Sequence, residues 1–435
     1  MASRRIDSRC GPLMASEDDD GLVHARGIRY ATAERFTAPA LLPAADGVID
    51  ATRRGPACPQ LPSRLEFVTG PVTNGLPMSE HCQVLSVTAP AHAHRLPVMV
   101  WFHGGAYVSG SGESAKYDPD ALVTEGQVVV VSVSYRLGIF GYLNLHDRDT
   151  ENLGLRDQIC ALQWVRDNIA AFGGDPGRVT VFGQSAGADS VLSLAMCPEA
   201  DGLFIRAILQ SSPLGLRGDR TPMTAAMREA ATASLAGVPP TEATAERLLE
   251  AQVAAITVAR RSGQVGLMAF APIMGRAPLP SDRESRIGDV APRIEILAGY
   301  TRDDARPFIT MAPRAKLLGR LGPVGRATAA SFGRNMTRSV FGRPTTELAE
   351  AWTAAGGRAA TFRVDWSPDD APLGACHCIE LPLLFGYPQT WSDAPMLGHR
   401  PRAIPDELAR RTRAQWAAFA RDGVAGLEQA ALRIA

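Results

Sequence analysis

A serine between two glycines follows a short, valine-rich apolar segment. The motif GQSAG at 183–187 comes directly after the apolar residues 178–182 and before a helical pattern over 188–197. A serine at a sharp strand-to-helix turn is held in a strained conformation with its hydroxyl exposed above the sheet, and the glycines leave room for the chain to reverse. The helix that starts there directs its N–H groups towards developing negative charge. This pattern predicts that Ser185 is a nucleophile.

Small residues after a second apolar segment are suited to stabilise an oxyanion. Residues 96–102 run into HGGAY at 103–107. Small residues there let backbone N–H groups come within hydrogen-bond reach of a substrate oxygen, and the N–H of Ala186 is a further donor. One such donor contributes about 2.7–4 kcal/mol of transition-state stabilisation. We reject His103 of this segment as the catalytic base, because the turn type around Ser185 favours the chain order serine, acid, histidine.

Apolar segments of strand length predict the sheet that positions these groups. They contain Val and Ile without polar alternation, which suits strands covered on both faces. They lie at 96–102, 127–135, 178–182, 205–210, 294–298 and 359–364, and helical patterns between and after them are clearest at 154–171, 245–259 and 405–422. Strands that alternate with helices predict an α/β fold with a mostly parallel central sheet.

Taken together, these segments resemble the type-B carboxylesterase family, the bacterial relatives of cholinesterases in the α/β-hydrolase superfamily. The resemblance extends from about Gly21 to about Gly423 and is strongest over 152–187, NLGLRDQICALQWVRDNIAAFGGDPGRVTVFGQSAG. It implies the α/β-hydrolase fold, with helices on both sides of the sheet and helical insertions that form the walls of a gorge. We expect one domain over 21–435 with insertions at about 214–286 and 306–357. The polar residues 1–20 predict a disordered lead-in.

The resemblance also implies three oxyanion donors and the base. In this family the donors belong to the second and third small residues of the glycine loop and to the residue after the serine. These positions are Gly105, Ala106 and Ala186 in this chain. The family motif GxxH matches GACH at 374–377, which implies that His377 is the base.

The acid of the family follows a strand in the pattern G-x-x-x-D-E-G. The matching residues here are GYTRDDA at 299–305, so the resemblance implies Asp304 as the acid, with Asp303 as the main rival. Aspartate is one methylene shorter than the usual glutamate. Either carboxylate can accept the imidazole N–H, so the chemistry is retained although the reach differs.

Two further departures bear on substrate and redox state. Gln184 stands where the family commonly has Glu, and the loss of that charge argues against a cationic, choline-like substrate, so we expect a neutral ester. Cys58 and Cys82 match positions that often form a disulfide in the family, and both that pairing and two reduced thiols stay open.

Composition narrows the classes of partner. The chain has 435 residues, with 45 basic and 45 acidic side chains, so nothing favours nucleic acid or an anionic membrane. No apolar run approaches about 18 residues, and the N-terminus lacks the apolar core of a secretory signal, so we expect a cytoplasmic protein without a membrane span. Cys376 and Cys378 flank His377, but such close neighbours cannot easily converge on one tetrahedral ion, so we expect packing residues and no metal.

These observations predict a carboxylic-ester hydrolase that acts on neutral small-molecule esters through a Ser-His-Asp triad and an acyl-enzyme, with water as second substrate and no cofactor. An amidase or acyltransferase using the same triad is an alternative. A non-catalytic binding protein is another, but such proteins lose the nucleophile or its partners, and here all three positions carry competent residues. The sequence does not predict the oligomeric state.

Overall fold

A mixed central sheet contains most of the strands. The structure, a computed structural model, describes residues 2–146, 151–311, 322–386, 389–399 and 404–435. Within these ranges the strands are β1 (Ala2–Ser8), β2 (Gly11–Glu17), β3 (Leu22–Arg29), β4 (Ala31–Thr32), β5 (Ala40–Leu41), β6 (Ile49–Asp50), β7 (Val84–Pro90), β8 (Leu96–Phe102), β9 (Val129–Val133), β10 (Gly174–Gln184), β11 (Arg206–Gln210), β12 (Glu295–Thr301), β13 (Ala359–Val364) and β14 (Ala431–Ile434).

The sheet has the order β1-β2-β3-β7-β9-β8-β10-β11-β12-β13-β14, with β6 paired to β2. Along this order every pairing from β9 to β14 is parallel and the pairings from β1 to β9 are antiparallel, whereas β6 pairs parallel to β2. The predicted α/β fold with a mostly parallel sheet is confirmed, and the antiparallel part is the N-terminal side. Parallel neighbours run in the same direction, so the chain must cross back to the starting edge of the sheet between them. The helices form these crossover connections.

Helices cover both faces of this sheet. Within the described residues they are α1 (Glu66–Thr69), α2 (Asp120–Gly126), α3 (Gly138–Tyr142), α4 (Leu153–Asn168), α5 (Ala186–Met196), α6 (Thr221–Ser234), α7 (Ala245–Ala259), α8 (Arg283–Val290), α9 (Arg306–Thr310), α10 (Gly322–Thr337), α11 (Arg343–Ala354), α12 (Leu381–Leu384) and α13 (Asp406–Asp422). No helix among the described residues is both long enough and apolar enough to cross a bilayer.

The central strands are buried on both faces, which explains their unbroken apolar sequences. In β8, Val98 and Val100 belong to one apolar core, whereas Met99 and Trp101 belong to the other. Successive side chains of a strand point to opposite faces, so a strand covered on both sides needs apolar residues at every position. The sheet therefore separates two cores, and its carboxyl edge remains available for a site.

The N-terminal residues differ from the sequence prediction. Residues 2–17 form the hairpin of β1 and β2 instead of a disordered lead-in, with register from Ala2 opposite Glu17 to Ser8 opposite Gly11. Leu13 and Ala15 are fully buried, and Arg4 donates to Glu17 at 2.9 Å across the pair. The hairpin extends an existing sheet, whose edge supplies hydrogen bonds and apolar contacts, and composition alone does not reveal that support.

The predicted insertions contain helices, as expected. The stretch 214–286 holds α6 and α7, and the stretch 306–357 holds α9 to α11, with 312–321 outside the described residues. All seven cysteines are free thiols. Cys58 and Cys82 lie in hydrogen-bond contact, and the pKa of Cys82 is raised first by burial and then by this contact.

Candidate active site

Ser185 forms the whole connection between β10 and α5. Its backbone has φ 58° and ψ −122°, a combination that residues with a Cβ rarely adopt. The chain can turn there because its neighbours are small: a Cβ on Gly187 would lie 2.0 Å from the carbonyl oxygen of Phe102. The Ser185 N–H donates to the carbonyl of Gln210 in the next strand at 2.8 Å. These contacts fix the predicted nucleophile at the carboxyl edge of the sheet.

The glycine loop after β8 lies beside this turn. Gly105 has φ 122° and Ala106 has φ 54°, and a Cβ on Gly105 would lie 1.9 Å from the carbonyl oxygen of Ser109. The Gly105 carbonyl accepts from Val108 and Ser109, which closes the loop on itself. Within the described residues no hydrogen bond uses the backbone N–H groups of Gly105, Ala106 or Ala186. Three free donors therefore remain near Ser185, as an oxyanion site requires.

Asp304 and His377 form a buried pair. The Asp304 Oδ1 lies 2.5 Å from His377 Nδ1, and both side chains are fully buried. The other carboxylate oxygen accepts from the Ser211 hydroxyl at 2.7 Å and from the Thr301 N–H at 2.9 Å. These three donors orient the carboxylate, and the carboxylate in turn holds a proton on Nδ1 of the imidazole. Nε2 is then left with a lone pair, the form that a general base needs.

The free imidazole nitrogen contacts the residue that precedes the serine. Gln184 Nε2 lies 3.1 Å from His377 Nε2, so the amide donates to that lone pair. Ser185 and His377 line the same cavity, but no direct hydrogen bond joins the Ser185 hydroxyl to the imidazole in this structure. The structure thus pairs the predicted acid with the predicted base, and the predicted base lines one cavity with the predicted nucleophile. Gln184 occupies the nitrogen of the imidazole that faces away from Asp304.

Asp303, the rival acid, has a different role. Its Oδ2 accepts from the Ala375 N–H at 3.1 Å and from Arg302 Nε at 3.0 Å. The residue also forms a parallel bridge with Cys376. Asp303 therefore anchors the segment that carries His377 and does not reach the imidazole.

His103 is buried beside the glycine loop, and its contacts do not suit a general base. Its Nδ1 lies 2.8 Å from the Gly104 carbonyl oxygen, and its ring stacks on Tyr135 with centroids 4.6 Å apart. Burial lowers the pKa of His103 to about 4, although the bond to Gly104 acts in the opposite direction. The imidazole is thus neutral at physiological pH and supports the loop.

A cavity of about 270 Å³ joins these groups to solvent. Ser185, Gly105, Ala106 and His377 line its floor together with residues of both predicted insertions. The first insertion contributes several residues between Gln252 and Ala269, and the second contributes Phe308 and Met311. Phe308 also packs edge-on against the imidazole, with ring centroids 5.1 Å apart. The wall of the cavity is largely apolar, which suits the acyl part of a small molecule.

The sequence profile of the carboxylesterase family matches residues 11–321. The chain belongs to the carboxylesterase family.

Related proteins extend this likeness over almost the whole chain. A probable N-octanoylanthranilate hydrolase of Rhodococcus erythropolis is 42% identical over 91% of this chain and 88% of its own length. The para-nitrobenzyl esterase of Bacillus subtilis is 36% identical over 89% of this chain and 83% of its length. Among solved structures, the Geobacillus stearothermophilus carboxylesterase is 32% identical, with a TM-score of 0.79 over 98% of this chain and 93% of its own. The chain is accordingly a serine hydrolase with the fold of bacterial esterases.

Two buried polar residues behind the imidazole escaped the sequence analysis of this carboxylesterase. Glu380, three residues after His377, is fully buried, and Gln210 donates to its Oε1 at 3.2 Å. Gln210 in turn accepts from Trp416 Nε1 at 3.1 Å. A glutamate in the apolar stretch IELPLLF indicates a buried carboxyl group that needs hydrogen-bond partners. Those partners are distant in sequence, so the sequence does not identify them.

Burial also changes the charge state of Glu380. Its pKa is raised to about 7, chiefly by desolvation and further by the negative charge of Asp304, although a backbone hydrogen bond acts against the shift. Its Oε2 has no hydrogen-bond partner among the described residues. A protonated carboxyl fits this position better than a carboxylate, which would repel Asp304.

Glu380 should make the stability of this carboxylesterase depend on pH. The folded chain keeps the proton up to pH about 7, whereas the unfolded chain loses it near 4.5, so stability falls as pH rises between these values. The loss amounts to about 3 kcal/mol by linkage. We expect Glu380→Gln to remove it, as measured by urea unfolding at several pH values. His103 titrates in the opposite sense, so the difference between variant and wild type is the informative quantity.

The exposed Glu350 offers a matched control for that measurement. Glu350→Gln also removes one carboxyl group, but one exposed on the surface, and therefore controls for the loss of a carboxyl group as such. A Glu380→Gln profile parallel to that of the wild type would show that Glu380 ionises normally in the folded protein.

One group of side chains comes within metal-binding distance among the described residues, and it lies outside the cavity. Asp18, His24 and Asp120 offer ligand atoms within 4.8 Å of one another. Asp18 Oδ2 already contacts His24 Nε2 at 2.8 Å. Cys376 and Cys378 are buried, and burial raises the pKa of both thiols. Both side chains therefore pack in the interior as neutral thiols.

Proposed function

We propose that this carboxylesterase hydrolyses small-molecule esters through a triad of Ser185, His377 and Asp304 and an acyl-enzyme intermediate. The observation that carries the proposal is the buried Asp304–His377 pair, 2.5 Å apart, whose imidazole lines the same cavity as a serine held in a strained turn. A histidine with a purely structural role would not need a serine in this strained conformation in the same cavity. The three unused N–H groups next to that serine are the second support.

The proposed reaction begins at the serine hydroxyl. Ser185 Oγ attacks the ester carbonyl carbon while its proton passes to His377 Nε2. The Gln184 amide must give up its hydrogen bond to the Nε2 lone pair before this transfer. We expect substrate binding in the cavity to displace it. The N–H groups of Gly105, Ala106 and Ala186 hold the resulting oxyanion.

Collapse of the tetrahedral intermediate releases the alcohol and leaves the acyl-enzyme. His377 gives its proton to the departing alkoxide oxygen, and Asp304 stabilises the imidazolium until that transfer is complete. Water then attacks the acyl carbon with His377 as base, which frees the acid and regenerates Ser185. The scheme uses only side chains and backbone of this chain.

A fluorophosphonate probe tests the assignment of the nucleophile. We expect one adduct per chain, located at Ser185 by mass spectrometry, because only an activated serine reacts rapidly with such probes. Heat-denatured protein is the control, since unfolding separates the three residues and should abolish labelling. An adduct at any other serine, or none on active protein, would overturn the scheme.

Amide hydrolysis is a second candidate, and a relative favours it. The Rhodococcus protein is named for an N-acylated substrate, N-octanoylanthranilate. The same triad can cleave an amide if His377 protonates the leaving nitrogen. Specificity constants for an octanoyl ester and for the octanoyl amide of the same leaving group decide between the two.

The expected substrate lacks a positive charge. Gln184 leaves the floor of the cavity without the anion that would attract a choline-like group, and no Asp or Glu is among the described residues that line it. A series of 4-nitrophenyl esters of increasing acyl length is therefore the starting panel.

A further inference from the structure

Two arginines share the cavity that contains Ser185. Arg64 lies two residues before α1, and Arg260 caps the carboxyl end of α7. Both line the cavity, and both are exposed to solvent. The cavity therefore has two positive charges near its opening and, within the described residues, no carboxylate along its wall.

Neither guanidinium has a partner in the part of the chain that the structure describes. Within the described residues Arg64 and Arg260 form no ion pair, and their side chains make no hydrogen bond. Other arginines of the chain behave differently: Arg136 pairs with Asp157 at 2.8 Å, and Arg413 pairs with Glu125 at 2.6 Å. Ten N–H donors on two neighbouring side chains are thus available to a ligand.

The electrostatic surroundings favour an anion between these side chains. The pKa of Arg64 lies below its ordinary value, first because surrounding protein desolvates the guanidinium and then because Arg260 repels it. Two unneutralised cations close enough to interact are less stable together than apart. A bound anion removes that repulsion and accepts hydrogen bonds in the fork geometry that guanidinium groups offer.

We infer that the substrate carries a negatively charged group, such as a carboxylate, that binds Arg64 and Arg260 while its acyl carbonyl lies at Ser185. This inference rests on the proposed function and refines it. It departs from the neutral ester expected from the sequence, where only the residue next to the serine was considered. Arg64 and Arg260 are distant in sequence, and only the fold brings them to one cavity.

Matched substrates separate charge from shape. On the acyl side we compare 4-nitrophenyl hydrogen suberate with methyl 4-nitrophenyl suberate. On the leaving-group side we compare 4-acetoxybenzoate with methyl 4-acetoxybenzoate, each rate being divided by that of alkaline hydrolysis. In at least one pair we expect kcat/KM to be about tenfold or more higher for the carboxylate, the effect of a charged hydrogen bond.

Charge-removing variants identify the residues responsible. The double variant Arg64→Gln, Arg260→Gln should lose the preference for the carboxylate, because kcat/KM then falls more for the carboxylate than for the methyl-capped ester. Arg261→Gln is the control, because Arg261 is an exposed arginine next to Arg260 that does not line the cavity. Raising the salt concentration to about 1 M should also weaken the preference, since screening then acts within about 3 Å.

The outcomes distinguish this inference from the proposed function. No preference in either pair, or a preference that survives in the double variant, overturns the anionic substrate while hydrolysis of the capped esters upholds the esterase. Failure to hydrolyse any of the four esters overturns the esterase itself. A preference confined to one of the two pairs supports the inference and shows on which side of the scissile bond the arginines lie.

Discussion

Ser185→Ala should lower kcat for ester hydrolysis by about 10⁵- to 10⁶-fold, the largest effect expected of any single change. Removal of the hydroxyl leaves no nucleophile to form the acyl-enzyme, although the oxyanion donors remain and keep a residual rate above that in water. The measurement is the initial rate with a 4-nitrophenyl ester, with fluorophosphonate labelling as a second readout.

Ser262→Ala is the matched control for this change. Ser262 is exposed in the loop after α7 and takes no part in the site, so its loss should leave kcat within about twofold of wild type. Circular dichroism should show both variants folded. Hydrolysis by Ser185→Ala at more than a hundredth of the wild-type rate, after contaminating esterase is excluded, would mean that another group attacks the substrate.

Asp304→Asn should lower kcat by about 10⁴-fold. The amide cannot stabilise the imidazolium, and its NH₂ group facing Nδ1 would favour the tautomer with a proton on Nε2, which cannot accept the proton of Ser185. The partners of Asp304, Ser211 and the Thr301 N–H, can still bond to the amide oxygen. The fold should therefore survive, and the rate of labelling by fluorophosphonate should fall with kcat.

Asp303→Asn is a control of the same chemistry one residue away. Its oxygen can still accept from the Ala375 N–H, so we expect a loss of less than about tenfold, caused by a looser segment around His377. If the two effects were reversed, Asp303 would be the acid and the 2.5 Å contact of Asp304 a structural one.

The fold of the central sheet could be predicted because its strands are buried on both faces. Leu96–Phe102 and Ala359–Val364 have the predicted bounds, and α7 begins and ends where the alanine-rich pattern indicated. In contrast, β1, β2 and β14 lie at the sides of the sheet, where one strand depends on its neighbour more than on its own sequence. Local patterns carry little information there.

The residues of the candidate site likewise differ in how far local sequence predicts them. Ser185 and the glycine loop are recognisable locally, since small residues at a turn are a backbone requirement. The choice between Asp303 and Asp304 depends on where a loop directs two adjacent carboxylates, and the contact of Gln184 with His377 depends on residues 193 positions apart. Glu380, Arg64 and Arg260 acquire their surroundings only through packing, so their roles could not be foreseen from sequence.

The cavity has a reactive floor at the ends of buried strands, and its wall is formed by the inserted helices together with residues around α1. A library of variants limited to the wall would therefore sample new selectivities while the geometry of bond cleavage stays constant. Laboratory evolution of this chain should find altered substrate range more readily than altered chemistry, because substitutions in α7 leave the hydrogen bonds of the floor untouched.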